Sequence, residues 1–273
     1  MPELPEVEVT KKSLANHLQG QQIKRIDIRE RRLRWPINSS QLKRLINQDI
    51  LSLTRRGKYI LINTECGTAL IHLGMSGSIG ILKNDRPLKK HDHFDLVLDN
   101  KIIIRFNDPR RFGSFVWAGK NPENHKLLKN LGPEPLNNDA LGLHLYALSK
   151  GRKTSVKAFI MNANVVVGVG NIYASESLFI SGIHPKRKAN NISKNRYLQL
   201  ATSIKNTLEQ SINMGGTTLR DFTYSHAGEK VGYFKQKLHV YGREGLECSK
   251  CEQPIKSVQL SGRSSFYCSN CQH

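Results

Sequence analysis

No stretch of this 273-residue chain approaches the about 18 apolar residues of a membrane-spanning helix, and its charged first residues lack the apolar core of a secretory signal. Those absences exclude a helical membrane protein and lead us to expect a soluble, cytoplasmic one. Acidic residues are also scarce: 22 Asp and Glu stand against 42 Lys and Arg, for a formal net charge of +20. A chain this basic repels itself when folded unless a counter-charged partner is bound. The excess is the usual footprint of phosphate-backbone binding, which favours nucleic acid ahead of anionic lipid. Cysteines number only five, with Cys66 alone and the other four clustered near the end, a pattern that favours a metal site over disulfides. There is no internal repeat and no low-complexity tract. A chain of this length buries a core as one large domain or two moderate ones.

What is present divides along the chain. Val7, Leu14 and Leu18 recur at helical spacing before Gly20, which predicts a short amphipathic helix at the start. From there to about residue 118 the texture is that of strands. "KYILINTECGTALIHLGM" and "HFDLVLDNKIIIRF" alternate or run apolar around turn signals at Cys66-Gly67 and Asp99-Asn100. This half reads as a β sandwich or barrel. The polar, proline-bearing "NLGPEPLNND" then marks a domain boundary. Beyond it, Leu141, Leu145 and Leu148 share one predicted helical face. Leu198, Ala201, Ile204, Leu208 and Ile212 share another, with Ser193 as its candidate cap. The expected order is a β domain over 1–130, a helical domain over 131–236 and a metal module over 237–273.

The tail carries two C-x2-C pairs, Cys248 with Cys251 and Cys268 with Cys271, separated by sixteen residues. Four thiolates in two close pairs satisfy one tetrahedral Zn2+, and the insert is long enough for a two-stranded hairpin. Such a closed site folds the tail and takes no part in chemistry. Arg263 falls near the predicted hairpin tip, where a phosphate contact is favoured over a merely solubilising charge. Upstream, "VVVGVGNIYASE" contains G-x-G but lacks the third glycine and the βαβ setting of a dinucleotide fingerprint. Asn171 there either donates to a phosphate or closes a plain helix-to-helix turn.

The first residues, MPELPEVEV, are anomalous in so basic a chain. Pro5 and Glu6 suit a helix start; Pro2 and Glu3 are not explained that way. With Met1 removed, Pro2 becomes an exposed secondary amine. Terminal amines titrate near ~7.7 to 8.0 and lysines near ~10.4, so a terminal amine is far more nucleophilic at neutral pH. Attack on an aldehyde-level carbon yields an iminium ion, and Glu3 beside it can move protons.

"PELPEVE", "HLGMSG" at His72 to Gly77, "DPRRFG" at Asp108 to Gly113, "VGVGNIYASE" at Val167 to Glu176, "GGTTLRDF" at Gly215 to Phe222 and the four-cysteine tail run in order across nearly the whole chain. Together they resemble the bacterial formamidopyrimidine-DNA glycosylase family. The resemblance implies an α+β multidomain fold: an N-terminal β sandwich with a leading helix, a helix-two-turn-helix domain and a C-terminal β-hairpin zinc finger. It implies a bifunctional enzyme that releases 8-oxoguanine or formamidopyrimidines from damaged double-stranded DNA and nicks the strand by β,δ-elimination. By the same resemblance Pro2 is the nucleophile, Glu3 the acid-base group and Lys58 a catalytic-site lysine near the phosphates. Met75, Arg110 and Phe112 fill the gap left by the extruded base. His91, with His93 as the alternative, joins Lys157, Asn171 and Arg263 on the backbone. Glu6 and Glu176 orient neighbours near the pocket, and the loop "TLRDFTYSHAGEKVGYF" folds over the extruded base. The implied protein is a monomer of the bacterial cytosol, associated with the nucleoid.

Endonuclease VIII, the sister family acting on oxidised pyrimidines, shares the Pro-Glu start, the Asn turn and the zinc tail. It typically reads PEGPE where this chain has Leu4, and "DPRRFG" points to the purine branch. One departure is "MNANV": Asn162 to Val165 stand where the family often shows Asp-Gln, which puts contacts at the start of that turn in doubt. A non-enzymatic alternative is a zinc-containing lesion binder, which forms no covalent adduct.

Overall fold

The computed structural model describes residues 2–83, 86–216 and 238–273. These form two compact units, one of residues 2–129 with 215–216, the other of 130–214 with 238–273.

The first unit opens with α1 (Leu4–Leu18), whose Leu4, Val7, Leu14 and Leu18 are buried. Proline in its first turn and Gly20 at φ +76 just past its end mark the limits read from the sequence. Then follow β1 (Ile23–Ile28), α2 (Ser39–Leu42), β2 (Ser52–Arg56), β3 (Tyr59–Thr64), β4 (Gly67–His72), β5 (Ser78–Leu82), β6 (Asp92–Leu98), β7 (Ile103–Asn107) and β8 (Ser114–Gly119). They pair antiparallel into two four-stranded sheets, ordered β1-β6-β7-β5 and β2-β3-β4-β8. Both predicted turns join neighbouring strands. Phe94 and Phe106 of one sheet stack at 4.8 Å, and Phe94 meets Phe115 of the other at 4.7 Å. A shared core thus closes the layers as a sandwich, not a barrel.

In the second unit α3 (Leu141–Ser149), α4 (Val156–Ile160), α5 (Asn171–Ile180) and α6 (Lys194–Asn213) precede a hairpin of β9 (Lys256–Leu260) and β10 (Arg263–Tyr267). Ser193 caps α6 as expected, its Oγ accepting from Arg196 N–H at 3.4 Å. Of the predicted stripe of α6, Ile204 and Leu208 are buried, Ala201 and Ile212 are partly buried and Leu198 is 39% exposed, while Tyr197 and Leu200 take the inner positions near its start. Polar groups occupy the inner face because each finds a hydrogen-bond partner there: Thr207 Oγ1 donates to Ser203 O one turn back, and Ser211 Oγ pairs with Tyr173 OH of α5. In α3, Leu141 and Leu145 are buried and Leu148 points out.

Candidate functional site

In the first unit the chain start is held by α1 itself. Glu3 is the N-cap, and its N–H donates to Glu6 Oε2 at 2.8 Å while its own carboxylate caps the Glu6 N–H, a reciprocal capping box. Glu3 is 2% exposed. Pro2 is also buried, which corrects the expectation of an exposed position. With the Met1–Pro2 bond intact its nitrogen is a tertiary amide, so only cleavage of that bond creates an amine. One turn on, Glu8 pairs with Lys11 at 2.8 Å and Arg55 at 2.7 Å, and Arg55 Nη1 donates to Gly57 O at 2.9 Å. Burial would raise the Glu8 carboxyl, but those hydrogen bonds outweigh it and hold it below its ordinary value. The pair thereby ties α1 to the β2–β3 turn, where half-buried Lys58 stands. His72, across the β3–β4 pairing, packs its ring at 52° against that of Tyr59, centroids 4.7 Å apart, and accepts the Gly74 N–H at Nδ1. Burial, with the charges of Lys58 and Arg34, pushes it down to about 4, so it is a neutral ring at physiological pH.

Met75, Arg110 and Phe112 lie on two turns that one buried carboxylate locks together. Asp108 accepts from Ser76 Oγ at 2.6 Å, Arg110 N–H at 3.2 Å and Gly113 N–H at 2.8 Å. Gly74, at φ +69, lets the turns touch, since a Cβ there would stand 2.4 Å from Phe112 C and Gly113 N. Arg111, at φ +57, swings toward Glu30, 3.5 Å away. What remains outward is a thioether 37% exposed, a phenyl ring 43% exposed and the Arg110 guanidinium 5.0 Å over that ring. Of the two histidines in "KKHDHFD", His93 is buried, its Nε2 at 2.7 Å from Asp108 O, whereas His91 is partly exposed.

The second unit assembles Lys157, Asn171 and Arg263 around the hairpin. Ser261 and Gly262, both at positive φ, make its two-residue turn, and exposed Arg263 follows directly. Lys157 is 1% exposed, and its ammonium donates to Ser264 O at 3.0 Å and Ser265 Oγ at 2.8 Å. It underpins the hairpin from inside. Asn171 Nδ2 also donates to Ser264 O, at 3.1 Å, while its Oδ1 is buried without a partner among the described residues. Tyr241, which sequence reasoning missed, brings its hydroxyl to 3.5 Å from Asn171 Nδ2 and its ring onto Phe266. Glu176 fixes that tyrosine: its carboxylate accepts the N–H groups of His239, Val240 and Tyr241 at 2.7 to 2.9 Å. At the departure noted above, Asn162 Oδ1 caps Asn164 N–H and Asn162 O accepts from Val165 N–H, while Gly132 N–H, from the segment before α3, donates to Ala163 O. Residues 218–234, the expected covering loop, lie outside the described residues.

The four cysteine sulfurs all lie within 4.8 Å of one another, with Cys248 to Cys271 at 3.9 Å and Cys251 to Cys268 at 3.5 Å. Tetrahedral Zn–S bonds of about 2.3 Å require S–S edges of about 3.8 Å. The residues fit one structural Zn2+ that closes both ends of the hairpin on the helices.

The Formamidopyrimidine-DNA glycosylase N-terminal domain matches residues 1–115, the H2TH domain of the same enzymes residues 131–223, and the zinc finger found in FPG and IleRS residues 245–273. The formamidopyrimidine-DNA glycosylase of Alcanivorax borkumensis is 52% identical over 272 residues, and that of Nitrosococcus oceani 50% over 273, each covering 100% of both chains. Among solved structures, Lactococcus lactis Fpg in complex with DNA containing an abasic site superposes with a TM-score of 0.89 at 29% identity over 100% of both chains. The MutM (Fpg) protein of Thermus thermophilus gives 0.86 at 33% identity, covering 99% of this chain and 98% of that one. With all three domain types in order and half of its residues shared along the full length, the chain belongs to the formamidopyrimidine-DNA glycosylase family.

Proposed function

We propose that this chain is a DNA glycosylase and abasic-site lyase that excises oxidised purines, 8-oxoguanine and formamidopyrimidines, from duplex DNA. The observation that carries the reading is the exposed trio Met75, Arg110 and Phe112 on turns locked by Asp108. Leaving a thioether and a phenyl ring in water forfeits burial, and the loss is recovered when they enter the stack vacated by a flipped base. Arg110 supplies donors for the orphaned cytosine. Extrusion costs a few kcal/mol and is easiest for damaged bases, which gives selectivity beyond the pocket itself.

In the chemistry that follows, the Pro2 nitrogen, freed by loss of Met1, bonds to C1′ as the glycosidic bond breaks and the base leaves with a proton. Glu3 assists opening of the sugar ring, giving an iminium ion that acidifies C2′. Loss of that proton expels the 3′-phosphate, and a second elimination expels the 5′-phosphate. Glu3 sits one residue from the amine, and its capping role fixes its position. Lys58 serves the phosphates near the lesion, beside neutral His72. His91, Asn171 and Arg263 contact the backbone, and Lys157 acts through the hairpin that it supports. The work divides over residues 1–130 for chemistry and gap filling, 131–236 for the clamp and covering loop, and 237–273 for the zinc finger. The enzyme acts as a monomer in the cytosol beside the nucleoid.

Incision of oligonucleotides carrying 8-oxoguanine opposite cytosine or thymine glycol opposite adenine tests the substrate. We expect cleavage of the first at a rate well above the second; cleavage of the pyrimidine lesion alone would move the chain to the endonuclease VIII reading.

A further inference from the structure

Residues 150–196 hold nine Lys and Arg against a single acid, Glu176, which is buried and committed to three backbone N–H groups. One of the nine, Lys157, lies under the hairpin. The others stand mainly on two loops that the fold joins side by side. Val156 N–H donates to Arg187 O at 2.7 Å, Ala189 N–H to Thr154 O at 2.9 Å and Asn190 N–H to Arg152 O at 3.1 Å, around a bridge between Ser155 and Lys188.

Paired backbones run about 4.8 Å apart, less than the about 8 Å Debye length of physiological salt, so the two loops carry their cations on neighbouring backbone within one screening length. Arg152, Lys153, Lys186 and Lys188 are exposed, and none has an ion-pair partner among the described residues. By contrast Arg29, Arg55 and Arg105 of the first unit each sit on a carboxylate within 3 Å. α6 begins alongside with Lys194 and has no acid in its first turn, where the helix dipole disfavours cations. Burial and the charge of Arg187 together lower the Arg196 guanidinium from its ordinary value, a sign of crowding between like charges. Such a surface is destabilising alone and favourable only against an extended anion.

We infer that Arg152, Lys153, Lys186, Lys188 and Lys194 form a second DNA-backbone surface, which holds duplex beyond the phosphates contacted by Asn171 and Arg263. It rests on the DNA-repair reading above. Exposed cations on loops neutralise phosphates without reading bases, so this surface serves undamaged duplex during the search and adds nothing to lesion choice.

The test is the salt dependence of binding to lesion-free duplexes, one just covering the clamp and one several helical turns longer. Each phosphate contact contributes about 0.9 to the slope of log K against log salt, so Arg152→Gln, Lys153→Gln, Lys186→Gln and Lys188→Gln together are expected to reduce the slope by about 2 to 3 on the long duplex. The short duplex is expected to bind both proteins alike. A charge-keeping set, Lys153→Arg, Lys186→Arg and Lys188→Arg, retains the full slope if charge is what matters and reports on folding of these loops. An unchanged slope in the Gln variant, an equal loss on both duplexes, or a loss seen only against an acidic polypeptide would overturn the inference. Because no lesion is present, a chain that failed to incise 8-oxoguanine would sink the catalytic reading and leave this measurement standing.

Discussion

Arg110 and His72 make opposite use of charge. The Arg110 guanidinium is exposed and aimed with Phe112, so Arg110→Ala should leave stability nearly unchanged while weakening recognition of the lesion strand opposite cytosine. A good bidentate base contact is worth about 1 to 3 kcal/mol, so single-turnover excision opposite cytosine should slow roughly tenfold to a hundredfold, with less effect opposite an abasic gap. His72 is instead a base that folding keeps neutral, with its pKa down at about 4 from an ordinary 6.5. The unfolded chain therefore takes up that proton first. His72 contributes stability that is fully present above pH 6.5 and lost as pH falls toward 4. Melting temperatures from pH 7 to pH 4.5 should drop more steeply for the wild type than for His72→Gln, and parallel curves would refute the assignment. The resemblance carried by "DPRRFG" singled out Arg110, whereas the role of His72 was not legible beforehand. "HLGMSG" marked the histidine as part of a motif, but its neutrality depends first on burial and then on the charges of Lys58 and Arg34, all of which only the fold supplies.

Short elements carry the geometry that single residues use. The two wedge turns meet over Gly74, where Gly74→Ala would force a Cβ against Phe112 and Gly113 backbone at 2.4 Å in a left-handed conformation. We expect a loss of about 1 to 3 kcal/mol in denaturant unfolding, and excision reduced beyond what Met75→Ala causes. In the helical unit, Glu176→Gln would replace a carboxylate that accepts three backbone N–H groups with an acceptor bearing no charge. Charge-assisted bonds are worth about 1.5 to 3 kcal/mol each relative to none, so DNA affinity should fall as Tyr241 and the hairpin lose their setting. Local signals of this kind divide sharply in legibility. The zinc ligands and Arg263 could be placed from spacing, because two close cysteine pairs and a two-residue turn are determined within a few residues. The partners of Lys157 and Glu176 are not so determined. Lys157 finds Ser265 across 108 positions and Glu176 finds Tyr241 across 65, and a sequence of buried polar groups does not say which backbone will satisfy them. In α6, Thr207 is internal with an acceptor one turn back at Ser203 O, and Ser211 is internal because it meets Tyr173 OH, 38 positions away, a partner that the local sequence does not name.

For the whole molecule, the sandwich and the zinc-bearing unit have separate supports. The first is closed by the Phe94, Phe106 and Phe115 stack and the second by the cysteine site. Removing zinc with a strong chelator should therefore unfold the hairpin and abolish DNA binding while the β-sheet circular dichroism of the sandwich persists. Elemental analysis should give one zinc per chain. Loss of all structure in one step would argue against this division. Net charge acts at the same scale: about six phosphate contacts predict a roughly thousandfold loss of affinity between 50 and 200 mM salt. The order of β domain, helices and metal-bearing tail was readable from period and cysteine spacing, the sandwich itself from the family resemblance, and the burial of Pro2 from neither.

That burial bears on the central claim, because the chemistry requires the Pro2 nitrogen to be a free amine able to meet C1′. Borohydride trapping on a duplex with one abasic site, followed by peptide mass analysis of the adduct, examines it directly. The account predicts a covalent complex whose modified peptide begins at Pro2, with Met1 absent and no adduct from Pro2→Gly at any other residue. Strand cleavage by protein that retains Met1, or an adduct carried by Lys58 or another lysine in the unaltered chain, would contradict it.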